Sequence, residues 1–125
     1  FELNVEEFES VRECVHTCAV VDAFDFMKKA VQSGETYDLV IVDPPSFANK
    51  ASLREVAIRR YAELAGLAVK LVRRQGTVVL ASCSSRVSAE QFWSTCQEAA
   101  RASGRPLTGA ITTEHAADHP VTFAQ

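Results

Sequence analysis

The sequence contains no glycine-rich phosphate loop. Neither GxGxxG nor GxxxxGKS/T occurs in its 125 residues, so the usual means of cradling a nucleotide's phosphates is missing. No apolar run approaches the roughly 20 residues needed to cross a bilayer, and the opening residues show no secretory pattern. No membrane association is therefore expected. Basic residues are not in excess: 13 Lys+Arg against 16 Asp+Glu leave a net charge of −3. A global positive field of the kind that advertises a nucleic-acid binder is excluded. Glycine (5) and proline (4) are scarce, and there is no repeat, low-complexity tract or linker. The four cysteines are irregularly spaced. They do not form a secreted disulfide framework and point to a reducing, cytoplasmic setting. What remains is a globular composition, 47% hydrophobic and 23% charged, sufficient for one domain at most. There is no initiator Met before Phe1-Glu2-Leu3-Asn4, so upstream residues are expected.

The stretch around which the chain is organised is Tyr37-Asp38-Leu39-Val40-Ile41-Val42-Asp43-Pro44-Pro45-Ser46-Phe47. Four consecutive apolar residues, Leu39 to Val42, suit a strand buried on both faces of a parallel sheet. Pro44 and Pro45 cannot donate to a ladder, so the strand must end at Asp43. That leaves a carboxylate at the carboxyl end of a strand, where open α/β sheets hold their ligands.

The other elements follow in alternation. Residues Phe1 to Val15 are acidic and weakly amphipathic, and Cys18–Val21 is expected to be a short strand ending at Asp22. Ala23–Val31 reads as a helix closed by Ser33-Gly34. Ser52 and Glu55 have capping-box spacing and open a helix reaching about Arg74, with Leu53, Ala57, Tyr61, Leu64, Ala68 and Leu71 on its apolar side. Gly76 ends the turn before a second buried strand, Thr77–Ala81. Ser88 with Gln91 caps a further helix to about Ser103-Gly104, and Leu107–Thr113 is a last strand. The alternation means βαβ units: an α/β fold with a mainly parallel sheet flanked by helices. Three strands ending in Asp22, Asp43 and Ser82-Cys83 gather polar groups on one rim, the mark of a ligand site.

Several constellations carry chemistry. Cys83, between serines at a strand's carboxyl end, is placed to attack an electrophilic carbon, although free cysteines are more often inert small hydrophobes. Cys14, His16 and Cys18 offer three soft ligands but no fourth at a zinc spacing, so no metal site is expected. His115 or His119 would be the partners of Cys83 in a thiol hydrolase. Lys50, Arg54, Arg59 and Arg60 form a basic cluster near Asp43 that would steer a phosphate backbone or simply form a solvated helix face.

Asp43-Pro-Pro-Ser-Phe47, then Ser82-Cys83-Ser84, then Ala117-Asp118-His119-Pro120-Val121 resemble the motifs of class I SAM-dependent RNA methyltransferases. The sequence most resembles the bacterial large-subunit enzymes that make 5-methylcytosine in 23S rRNA. Asn4, the Asp22-Ala23-Phe24 turn and the spacing between blocks extend the similarity over essentially the whole chain. Ser46, standing between Pro45 and Phe47, favours this family over the amino-methyltransferases, whose aromatic directly follows the prolines.

The resemblance implies a truncated Rossmann-like fold and S-adenosyl-L-methionine (SAM) as cofactor. It makes Cys83 the nucleophile toward carbon 6 of a flipped cytosine, with Asp43 hydrogen-bonding or protonating the ring. Asp22 would accept from the adenine amino group, with Ala23, Phe24, Asp43 and Pro44 completing the cofactor site. Pro45, Phe47, Lys50 and Ser82 would face the substrate. The family's glycine loop, ribose-binding acid and amino-terminal PUA domain have no counterpart between Phe1 and Gln125, so residues 1–125 would be part of a catalytic domain. A methyltransferase of the same fold acting on another base or a small molecule, and a non-catalytic interaction fragment, are the alternatives. The family's sheet puts two more strands between Cys18–Val21 and Tyr37–Val42. Without them, either Cys18–Val21 should move in beside Tyr37–Val42, or a second copy should pair there as a homodimer.

Overall fold

The computed structural model describes residues 14–48 and 50–113. Their order is helix α1 (Ala23–Gln32), strand β1 (Tyr37–Val42), a 3-10 turn (Ala51–Leu53), helix α2 (Arg54–Leu71), strand β2 (Val72–Leu80) and helix α3 (Ala89–Ala102). β1 and β2 pair in parallel, joined by α2 as the crossover, so the fold is α/β as expected.

Local chemistry accounts for two of the helices. α1 begins at Asp22, whose side chain accepts from the Phe24 and Asp25 N–H groups, satisfying two of the donors a helix start leaves unpaired. It ends past Ser33, with Gly34 at φ 74°. There the Gly34 N–H reaches the Val31 carbonyl and the Glu35 N–H reaches that of Ala30, the bond pair of a Schellman ending. α3 begins at the expected cap, Ser88, which accepts from the Gln91 N–H at 3.2 Å, and ends at Ser103-Gly104 in the manner of α1.

α2 differs from expectation at both ends. Ser52 does not cap it. That serine lies inside the 3-10 turn, whose Leu53 N–H bonds to the Lys50 carbonyl at 3.0 Å. The turn runs directly into the helix, and Leu53 stands at its start with no side-chain cap. At the other end the helix stops at Leu71, short of Arg74, because Val72 turns extended and pairs with Tyr37. Arg73 then forms an ion pair with Asp38. The chain loops out opposite Asp38 before regular pairing resumes from Leu39↔Thr77 to Val42↔Leu80. Ala81 donates to the Val42 carbonyl at 2.9 Å, carrying the ladder to its expected end. Gly76 is needed in this loop: a Cβ there would lie 2.6 Å from Val72 Cγ2 and 2.7 Å from the Asp38 carbonyl oxygen.

The core lies on one side of the sheet. Met27 and Ala30 of α1 meet Leu64, Ala68 and Leu71 of α2, with Val40, Val42, Val78 and Leu80 beneath them. A second cluster joins Ala48, Ala57, Tyr61 and Val87, with Phe47 and Phe92 at its border. Burial of each large apolar side chain here stabilises the fold by on the order of 1.5–3 kcal/mol.

Three further expectations are corrected. Neither strand is buried on both faces: Leu39 and Ile41 of β1 are 52% and 63% exposed and Val79 of β2 is 42% exposed, since the described helices pack against the opposite face. Cys18–Val21 is not a strand, and Val20 is fully exposed. It neither moves in beside β1 nor finds another ladder among the described residues, and an isolated extended segment gains nothing from strand geometry. Leu107–Thr113 is irregular for the same reason, with Ile111 90% exposed.

Gly76→Ala should destabilise the chain by about 1–3 kcal/mol through overpacking. Gly66→Ala, within α2 where a Cβ meets nothing within 4 Å, should instead stabilise it by about 1 kcal/mol. Denaturant unfolding of the two variants checks the opposite signs.

Candidate functional site

β1 delivers Asp43 and β2 delivers Ser82-Cys83 to the same end of a parallel pair, so the two motifs become neighbours. Cys83 is exposed, and its Sγ lies 3.8 Å from the Pro44 carbonyl oxygen. Pro44 in turn lines a cleft of about 730 Å³. Asp22, Ala23 and Phe24 contribute to that cleft from the start of α1, and Asp43, Pro45 and Phe47 from the loop after β1. Leu39 and Ile41, on the bare face of β1, extend its apolar lining. The volume falls within the range of small-molecule sites, with two carboxylates among mainly apolar walls.

Expected site residues therefore divide between two adjoining places. Asp22, Ala23, Phe24, Asp43, Pro44, Pro45 and Phe47 share the cleft, while Ser82 and Cys83 do not line it and Cys83 meets it only through the Pro44 carbonyl. Lys50 joins neither group. It is exposed just before the 3-10 turn, and its carbonyl takes the Leu53 N–H. The basic cluster is also divided. The Arg54 guanidinium donates to Gln91 Oε1 at 2.5 Å, whereas that of Arg60 lies 4.7 Å from the centre of the Phe24 ring. Asp22 has a structural task as well, since both N–H bonds that it accepts fall on Oδ1. His115, His119 and the block Ala117–Val121 lie outside the described residues. Among the described residues, no group of three or more His, Cys, Asp or Glu is arranged to hold a metal ion. No described helix is long and apolar enough to cross a membrane.

A residue read from the sequence only as part of an apolar stripe turns out to border the site. Tyr61 is 2% exposed. Its hydroxyl oxygen accepts from Ser82 Oγ at 2.9 Å, and its ring meets Phe47 edge-on at 5.1 Å. Burial raises the Tyr61 phenol above its ordinary value, partly offset by the Ser82 hydroxyl. The available signal was its residue type: a tyrosine at a core position brings a hydroxyl that must find a partner. Ser84 Oγ is the opposite case, a buried polar atom without a hydrogen-bond partner.

Curated relatives match nearly the whole chain. It is 41% identical over 111 residues to the ribosomal RNA large subunit methyltransferase of Deinococcus radiodurans, covering 89% of this chain and 27% of that protein. It is 31% identical over 119 residues to ribosomal RNA large subunit methyltransferase I of Cronobacter sakazakii, covering 95% of this chain and 28% of the relative. Against the Yersinia pseudotuberculosis protein of that same name, identity is 31% over 123 residues, or 98% and 29%. The chain thus spans less than a third of the length of these relatives. No family model matches it.

The cysteines should differ in reactivity. Burial pushes the Cys96 thiol up to about 11, whereas Cys14, Cys18 and Cys83 are exposed. Iodoacetamide at pH 8 should label those three and leave Cys96 protonated and intact, as read by peptide mass spectrometry. Labelling of Cys96 at the pace of Cys83 in the folded chain would contradict the packing of α3.

Proposed function

We propose that this chain is the later part of the catalytic domain of a SAM-dependent ribosomal RNA methyltransferase, acting on carbon 5 of a cytosine in 23S rRNA. The observation that carries this reading is the placement of Cys83 Sγ against the Pro44 carbonyl at 3.8 Å, which sets a thiol beside the Asp43-Pro-Pro loop. The named relatives support the substrate class. The cytoplasm is the matching compartment.

The residues present fit the cofactor. The cleft is large enough for a nucleoside, and its carboxylates, Asp22 and Asp43, complement an amino group and a cation. Asp22 would accept from the adenine amino group through Oδ2, with Ala23, Phe24 and Pro44 beside the ring. When bound, SAM supplies an electrophilic methyl group.

The remaining chemistry belongs to the chain. Cys83, as the thiolate, adds to carbon 6 of a cytosine turned out of its stack, and an S–C6 bond forms. The displaced electron pair moves into the ring, where Asp43 hydrogen-bonds or protonates it, and carbon 5 becomes nucleophilic. After carbon 5 is substituted, loss of its proton and cleavage of the S–C6 bond return the thiolate. Pro45, Phe47 and Ser82 would wall the base, and Lys50 would meet the RNA backbone.

A second reading rests on the bare face of β1, where Leu39 and Ile41 stay exposed. In it the chain acts as an interaction surface, pairing with a second copy along the open edge. Analytical ultracentrifugation checks it, and a monomer at every concentration argues against it.

Fluorine at carbon 5 cannot leave as a proton, so RNA carrying 5-fluorocytosine should trap the adduct. With SAM present, this chain, or the longer protein containing it, should give a denaturant-stable RNA complex. Cys83→Ala should abolish that complex, and Cys14→Ala, Cys18→Ala and Cys96→Ala should retain it. Trapping that survives Cys83→Ala would sink the assignment.

A further inference from the structure

We propose that Tyr61 is a positioning residue for Cys83, tying the thiol loop to the Asp43-Pro-Pro-Ser-Phe loop through one hydroxyl and one ring. The hydroxyl holds the thiol loop. Ser82 Oγ donates to Tyr61 Oη at 2.9 Å and accepts from the Ser84 N–H at 3.3 Å. The residues before and after Cys83 are thus joined through the Ser82 oxygen, and that oxygen is anchored to α2.

The ring holds the other loop. It packs edge-on against Phe47 at 5.1 Å and against Phe92 of α3 at 5.1 Å. Movement of the Tyr61 ring would have to displace α3 or the loop after β1. The consequence is the approach of Cys83 Sγ to the Pro44 carbonyl, a weak contact that needs both loops to be held. Phenylalanine at this position would keep the ring contacts but leave Ser82 without its buried acceptor.

This inference takes from the proposed function only the identity of Cys83 as the nucleophile. Its test uses thiol reactivity, which needs neither SAM nor RNA, so the two ideas can fail separately. The intact chain is treated with iodoacetamide, and the rate at Cys83 is expressed relative to exposed Cys18 in the same molecule. Tyr61→Phe should raise that ratio about fivefold, the equivalent of one ordinary hydrogen bond lost from the loop. Ser82→Ala should raise it at least as far, since it also removes the acceptor of the Ser84 N–H, and the double variant should not exceed Ser82→Ala, because Tyr61→Phe then has no further bond to remove. Ser82→Thr, which retains the hydroxyl, should restore the original ratio.

Ala100→Gly, in the buried seam of α3 away from Tyr61, serves as the control for stability alone. It should lower the melting temperature without moving the ratio. An unchanged ratio in Tyr61→Phe, additive effects in the double variant, or an equal change in Ala100→Gly would each overturn the proposal. Should Tyr61→Phe not fold, Ser82→Ala and its threonine rescue decide the matter on the same terms.

Discussion

Helix α2 must bury its apolar stripe, and that burial positions the rest of the described structure. Every other element touches it: α1 and α3 along its sides, both strands beneath and the 3-10 turn at its start. Ala57 and Ala68 are completely buried, small enough to let neighbouring backbones come close, while Leu64, Val69 and Leu71 fill the space between. Because α2 is also the crossover between β1 and β2, the same packing that closes the core brings two strand ends side by side. The meeting of Asp43-Pro-Pro with Ser82-Cys83 follows from it.

The site accordingly has a packed half and an open half. Around Tyr61, three rings in edge contact and the Ser82 hydroxyl join the thiol loop to the helix. Along β1, the cleft has Asp22 and Phe24 on one side and an exposed strand on the other. An apolar strand face left bare in water is unfavourable, and Leu39 and Ile41 form such a face here.

Legibility in the sequence followed the range of the responsible interaction. β1 was readable to the residue, since its apolar run and the two prolines after it are local. The start of α3 was readable because Ser88 acts within three residues of itself, whereas Asp22, read as a strand end, is in fact the cap of α1. Cys18–Val21 and Leu107–Thr113 have the composition of strands, but a strand exists only with a partner, and no composition reports that partner. The end of α2 was misplaced for a similar reason, because Val72 leaves the helix to pair with Tyr37, a residue remote in sequence. At the site, the neighbourhood of Asp43 and Cys83 was legible from topology alone. The role of Tyr61 was not, because helical periodicity records where a side chain points and not what its hydroxyl meets.

The central claim is that the cleft beside β1 is the cofactor half of a methyltransferase site, with Pro44 as its shared wall. Titrating the isotopically labelled chain with SAM, while following backbone amides by NMR, tests this most directly. The account predicts shifts that saturate together at Asp22, Ala23, Phe24, Asp43 and Phe47. An unperturbed spectrum at those amides, or shifts confined to α3, would contradict it.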